Sequence, residues 1–265
     1  MTDKQMVVFF DIDGTLLPEG APAVPEETIE AIHTAQRNGH LCFINTGRPL
    51  GIVPRELFGV GFDGIITACG GMATYHGETV WQHPESIEAG RQVMAAARAC
   101  GLTVVYESHE ARGYDCFAIP DSEERNATFV RAKTQGWQAI RLGEHDEFPL
   151  LKFLIDKSKG GDLERFRTMI DDFTFTAYDE RWEECVPCGL TKGEALIRMM
   201  EHLGLPLEQS IAVGDNRNDL PMLEVCPNSV AMGNGEAKTF AVSFITRRCE
   251  EGGIPHMLRH FGLID

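Results

Sequence analysis

Long apolar runs are missing from this 265-residue chain. None approaches the roughly 20 residues of a membrane-spanning helix, and the N-terminus carries no signal-peptide pattern. Together these absences predict a soluble, cytoplasmic protein with no membrane partner. Positive charge is also scarce. Lys and Arg total 24 against 40 Asp and Glu, and the formal net charge of -16 speaks against nucleic acid or an anionic surface as a partner. The nine His show no H-E-x-x-H spacing and read as surface or inserted-domain residues. The eight Cys are scattered, so reduced thiols are expected. Cys185-Val186-Pro187-Cys188 is a single C-x-x-C without a second Cys or His cluster, which is weak evidence for zinc. It reads as a strand end and linker, with a redox switch near Lys192 as the alternative. There is no internal repeat and no low-complexity segment. With 43% hydrophobic and 24% charged residues, the composition is that of an ordinary globular protein of one or two domains.

What is present begins with a short apolar run, Met6-Val7-Val8-Phe9-Phe10, too short for a typical helix and read as a buried strand. Two carboxylates, Asp11 and Asp13, stand where it ends, followed by Gly14 and Thr15. Either this is a turn with surface acids, or the pair holds a divalent cation. Pro25-Glu26-Glu27 then opens a helix with an apolar stripe at Ile29, Ile32 and Ala35, closed by Gly39. Leu41-Cys42-Phe43-Ile44 is a second buried strand. A strand, a helix and a strand make a βαβ unit, which predicts a parallel sheet with a site at its carboxyl edge. Thr46 and Gly47 fall at that edge, where a hydroxyl and an unhindered N–H can hold phosphate oxygens. Gly64–Ala68 reads as a third core strand, and Thr74–Trp81 as a hairpin turning at His76-Gly77.

From about Trp81 to Val186 the pattern changes to a small α+β insert. Its expected elements are helices at Ser86–Ala99, Glu123–Thr134 and Asp162–Ile170. Its expected strands are Leu102–Tyr106, Tyr114–Ile119, Leu150–Ile155, Phe173–Tyr178 and Trp182–Val186. The core then resumes. Thr191 can cap a helix running to Leu203 and closed by Gly204, with Lys192 in its first turn. A cation there opposes the helix dipole unless an anion lies nearby, although a solvated lysine is the commoner reading of such a residue. Ser210-Ile211-Ala212-Val213 is another buried strand, ending in Gly214-Asp215-Asn216-Arg217-Asn218-Asp219. Polar groups gathered at a second strand end point to metal binding. A strand from Val242 to Ile245 and a helix ending near Phe261 complete the sheet.

Four of these stretches, in order, resemble the motifs of the haloacid dehalogenase-like (HAD) hydrolases: Asp11-Ile12-Asp13-Gly14-Thr15, Thr46-Gly47-Arg48-Pro49, Lys192, and Gly214-Asp215 through Asp219 with Met222-Leu223. Val230-Ala231-Met232-Gly233-Asn234 is similar to a segment that caps the site in this group without doing chemistry. Cys69-Gly70-Gly71 departs from the Asn-Gly-Ala found near there in the Cof-type branch, so no role for that Asn carries over. The resemblance implies an α/β fold with a Rossmann-like parallel core, residues 1–81 and 187–265, and an inserted α+β cap of C2B type, residues 82–186, that sets specificity. It implies a Mg²⁺-dependent phosphatase acting on small phosphate monoesters, a sugar phosphate or related phosphometabolite, through an aspartyl-phosphate.

In that scheme Asp11 is the nucleophile, Asp13 the general acid and base, and Lys192 the holder of nucleophile and phosphoryl group. Mg²⁺ is bound by Asp11, the Asp13 carbonyl and Asp215, with Asp219 in support. The Ile12 N–H, Thr46, Gly47, Lys192 and Asn218 take the phosphoryl group. Two alternatives share the core. A phosphomutase would carry a different cap, between the first two motifs, where the gap here is too short. A non-catalytic phosphometabolite-binding protein would be signalled by loss of Asp11 or Asp13, and both are present. His109, Arg112, Arg141, Tyr178 and Arg181 are polar or cationic cap residues that could meet the substrate. Neither its identity nor the oligomeric state is legible.

Overall fold

The computed structural model describes residues 4–115, 123–143 and 145–265. The first strand, β1 (Val7–Phe10), consists of four fully buried apolar residues with parallel neighbours on both sides, the setting in which a continuous apolar run is stable. Pro25 precedes α1 (Glu26–Arg37), whose buried Thr28, Ala31, Ile32 and Ala35 recur at helical spacing. Next come β2 (Leu41–Asn45), a short α2 (Arg55–Phe58), β3 (Gly64–Thr67), β4 (Met72–Tyr75) and β5 (Glu78–Gln82). His76 and Gly77 between β4 and β5 have φ of 49° and 82°. Two left-handed central residues are what a type I′ hairpin turn requires.

The insert follows. Ser86 caps α3 (Ile87–Cys100), its hydroxyl accepting the Ala89 N–H, and Gly101 closes it at φ 64°. Then come β6 (Val104–Glu107), β7 (Ala111–Asp115), α4 (Glu123–Gln135), β8 (Gln138–Leu142), β9 (Lys152–Asp156), α5 (Leu163–Met169), β10 (Phe173–Ala177) and β11 (Trp182–Pro187). They form a sheet in the order β10-β11-β9-β6-β7-β8. Its core includes Val93, Ala97, Val104, Tyr106, Phe153 and Phe166. Two expectations differ here. The strand expected at Tyr114–Ile119 starts earlier, at Ala111, and its residues 116–119 lie outside the described ones. In addition, β8 has no counterpart among the expected strands. It lies at a sheet edge, and polar and apolar residues alike are exposed along it, with Leu142 alone of its five residues buried, so the period-2 signal is weak.

The chain returns through α6 (Lys192–Leu203), β12 (Ser210–Gly214), α7 (Leu220–Val225), β13 (Asn228–Ala231), β14 (Phe244–Ile245) and α8 (Gly253–His260). His256 and His260 on α8 are four residues apart. Both lie against the Phe244 ring, with His260 stacked at 3.7 Å, so this pair serves packing. The larger sheet runs β14-β13-β12-β1-β2-β3-β4-β5, parallel from β14 to β3 and antiparallel between β3 and β4. From β1 the chain moves to β2 and β3 on one side, then returns to β12 and β13 on the other. That reversal between β1 and β12 is a topological switch point, and in open α/β sheets ligands bind outside the carboxyl ends of the strands there. The described chain divides into two compact units, one of residues 1–47, 54–81 and 190–265, the other of residues 48–53 and 82–189. No helix among the described residues is long and apolar enough to cross a membrane.

Candidate active site

Asp11 and Asp215 leave adjacent strands at the switch point. The Asp11 N–H donates to the Val213 carbonyl at 3.0 Å, which carries the β1–β12 pairing one residue past β1. The chain then turns on itself, the Ile12 carbonyl accepting from the N–H groups of Thr15, Leu16 and Leu17. Gly14 sits at φ 79°, and a Cβ there would lie 2.2 Å from an Asp215 carboxylate oxygen. Gly214 is equally constrained, since its Cβ would fall 2.4 Å from Cγ of Asp219. The glycines of both motifs are therefore needed for the close approach of carboxylates as much as for the turns.

Lys192 reaches the same place from α6. Thr191 caps that helix by accepting the Glu194 N–H at 3.0 Å. The Lys192 side chain has no solvent exposure, and its Nζ lies 2.6 Å from Asp11 Oδ1 and 2.5 Å from Asp219 Oδ1. Burial pushes the ammonium pKa down, but Asp11 and Asp219 outweigh it and hold the pKa well above its usual value. The other Asp219 oxygen accepts the backbone N–H groups of Asp215 at 2.9 Å and Asn216 at 3.1 Å. Asp219 thus ties Lys192 to the Asp215 turn.

Asp11, Asp215 and Asp219 each offer an oxygen within 4.8 Å of the others. Burial, then Asp219, raise Asp11 well above the usual carboxylate range, with Lys192 opposing and Asp13 and Asp215 adding. Burial and Asp219 likewise push Asp215 up to about 7. Four carboxylates that act on one another, with one ammonium among them, leave a formal charge of -3 (four minus one) in a buried setting. That excess, on hard oxygen donors, is what a divalent cation would neutralise. The donor set fits such an ion.

The remaining expected residues lie at the same sheet edge or beside it. Asp13 is half buried and pairs with Leu17 in an isolated bridge. Ile12 is fully buried. Thr46 and Gly47 follow β2. Thr46 is buried, its N–H donating to Ile66 at 2.9 Å and its carbonyl accepting from Cys69 at 3.0 Å. Asn218 is buried in the short turn after Gly214. Two residues near the site were not singled out from sequence for a role in it. Asn45, fully buried at the end of β2, donates from Nδ2 to the Lys192 carbonyl at 2.9 Å. A polar residue closing an apolar strand just before Thr46 is the signal that could have marked it. Cys69, left-handed at φ 55° after Ala68 at 51°, donates its N–H to the carbonyl of Thr46, which anchors this turn to the end of β2. Of the C-x-x-C pair, Cys185 is buried in β11 and Cys188 is exposed.

Residues 8–258 match the family model of the haloacid dehalogenase-like hydrolases. The phosphatase YwpJ of Bacillus subtilis is 26% identical, covering 96% of this chain and 99% of its own length. The 5-amino-6-(5-phospho-D-ribitylamino)uracil phosphatase YitU of the same organism is also 26% identical, covering 98% and 99%. Among solved structures, a HAD subclass IIB sugar phosphatase superposes with a TM-score of 0.81 at 23% identity, over 98% of this chain and 100% of that one, which establishes the shared fold. The chain belongs to the haloacid dehalogenase-like hydrolases. It is an enzyme of their phosphatase group, a phosphoric monoester hydrolase.

Proposed function

We propose that this enzyme is a Mg²⁺-dependent phosphatase that hydrolyses small phosphorylated metabolites, sugar phosphates or related monoesters, through an aspartyl-phosphate on Asp11. The observation that carries this reading is the buried Asp11 carboxylate held by Lys192 beside the Asp215 and Asp219 carboxylates. Asp11, the Asp13 carbonyl and Asp215 are the residues to hold the ion, with Asp219 supporting them. When bound, Mg²⁺ supplies charge neutralisation for the nucleophile and the phosphoryl oxygens.

Asp11 Oδ attacks phosphorus in line, and the bond to the leaving alkoxide breaks as the P–O bond to Asp11 forms. Asp13 gives its proton to that alkoxide, then takes one from the water that attacks the acyl-phosphate, which releases inorganic phosphate and returns Asp11 as a carboxylate. Lys192 keeps Asp11 oriented and offsets charge on the phosphoryl group. The Ile12 N–H, the Thr46 hydroxyl, the Gly47 N–H and the Asn218 amide complete the phosphoryl site.

Residues 1–81 and 187–265 are the catalytic core in this reading, and the insert 82–186 is the cap that selects substrate. The cytoplasm, where thiols stay reduced, suits the scattered cysteines. A phosphate-release screen with Mg²⁺ over a panel of phosphometabolites, run beside Asp11→Asn, tests the proposal. Release from at least one ester, abolished in Asp11→Asn, is the expected result. No release from any ester, or release untouched by the substitution, overturns it.

A further inference from the structure

The turn that carries Asp11 and Asp13 is held by Asn234, three residues past β13. Its Nδ2 donates to the Gly14 carbonyl at 2.8 Å, and its Oδ1 accepts the Cys249 N–H at 2.9 Å. The Cys249 thiol adds a second contact, donating to the Thr15 carbonyl at 3.0 Å. The residues next to Asn234 grip the other aspartate turn. A Cβ on Gly235 would lie 2.0 Å from the Asp215 carbonyl, so the two backbones touch, and the Ala237 N–H donates to that same carbonyl at 2.8 Å. One stretch, residues 234–237, therefore holds both turns that bear the carboxylates.

Such a brace has a physical purpose here. Gly14 leaves the first turn conformationally permissive. Asp11, Asp13, Asp215 and Asp219 repel one another, which tends to spread the two turns apart. Asn234 is a neutral residue that opposes the spreading by hydrogen bonds without adding charge of either sign. We infer that Asn234 is a positioning residue for the divalent cation: it sets the spacing of the Asp11–Gly14 turn from Asp215 and so the affinity for the ion. The inference rests on the metal-dependent reading above, and goes beyond it by assigning a role to a residue that neither binds the ion nor touches the phosphoryl group.

The test is calorimetric titration of Mg²⁺ into the purified full chain at pH 8, with no substrate present. Asn234→Ala is expected to weaken the Mg²⁺ Kd roughly ten- to a hundredfold, as loss of a residue that orients metal ligands does. Asn228→Ala is the control. Asn228 likewise ties backbone segments together through its side chain, its Nδ2 donating to the carbonyls of Glu208 and Ser210, but at the opposite end of β12. It is expected to lower stability and leave the Mg²⁺ Kd within twofold of wild type.

Asn234→Asp separates position from charge and keeps the proposal testable if the Ala variant does not fold. It retains the acceptor for Cys249 but loses the donor to Gly14, while adding negative charge near the ion. Charge alone predicts tighter binding, and loss of positioning predicts weaker binding. Wild-type affinity in Asn234→Ala, or tighter binding in Asn234→Asp, overturns the inference while leaving the phosphatase reading in place. No Mg²⁺ binding by the wild type overturns the magnesium reading and this inference together.

Discussion

Replacing Lys192 by Met keeps the aliphatic stem and removes one charge. In the native protein that ammonium is fully buried, 2.6 Å from Asp11 and 2.5 Å from Asp219. Removing one partner of a buried ion pair leaves an uncompensated charge and costs about 3–5 kcal/mol. Here two carboxylates lose the same cation, so the upper part of that range applies at neutral pH. It is a large fraction of the roughly 5–15 kcal/mol by which a protein is stable. The loss is pH-dependent in a stated direction. Asp11 is already raised by burial and by its acidic neighbours, and without Lys192 it rises further, so acid neutralises it and relieves the strain. Urea denaturation of wild type and Lys192→Met at pH 7.5 and 5.5, in EDTA and in Mg²⁺, measures this. The destabilisation is expected to be largest at pH 7.5 in EDTA, smaller at pH 5.5, and smaller again with Mg²⁺, which supplies positive charge to the same carboxylates. A loss below about 1 kcal/mol, or one equal at both pH values, would refute the view that Lys192 is there to balance buried carboxylates.

Two further outcomes follow from the charges. Asp215 is pushed up to about 7, above its ordinary value of 3.8, so between those values the metal-free folded state binds more protons than the unfolded one. Stability from this group is present below pH 4 or so and is lost as pH rises to about 7. The rise in Tm on adding Mg²⁺ to EDTA-treated protein is accordingly expected to be larger at pH 7.5 than at pH 5.5, and thermal scans at the two pH values would show it. In the insert, Lys152 is buried between Glu107 and Glu184. Lys152→Met is expected to lower stability by about 3–5 kcal/mol through those two carboxylates, read from denaturant midpoints, and a change within 0.5 kcal/mol or so would contradict it.

The local order of this chain was legible without coordinates because it rests on short-range chemistry. Four apolar residues before Asp11 make a buried strand, His76-Gly77 a type I′ turn, and Thr191 a helix cap, each within a few residues of the chain. The strand-helix-strand alternation sufficed to expect a parallel sheet with a site at its carboxyl edge, and membership of the family followed from motifs of the same short kind. The strand β8 escaped because an edge strand, largely exposed, lacks a clear apolar alternation.

Tertiary structure decided which groups meet. Lys192 lies 181 residues from Asp11, and Asn234 lies 220 residues from Gly14. That the two Asp219 oxygens serve Lys192 and the Asp215 turn, that Asn45 holds the Lys192 carbonyl, and that Asn234 braces two turns at once are not properties of any sequence window. They arise because a parallel sheet brings distant strand ends to one edge. There burial makes each carboxylate dependent on whichever cation and donors the rest of the fold delivers.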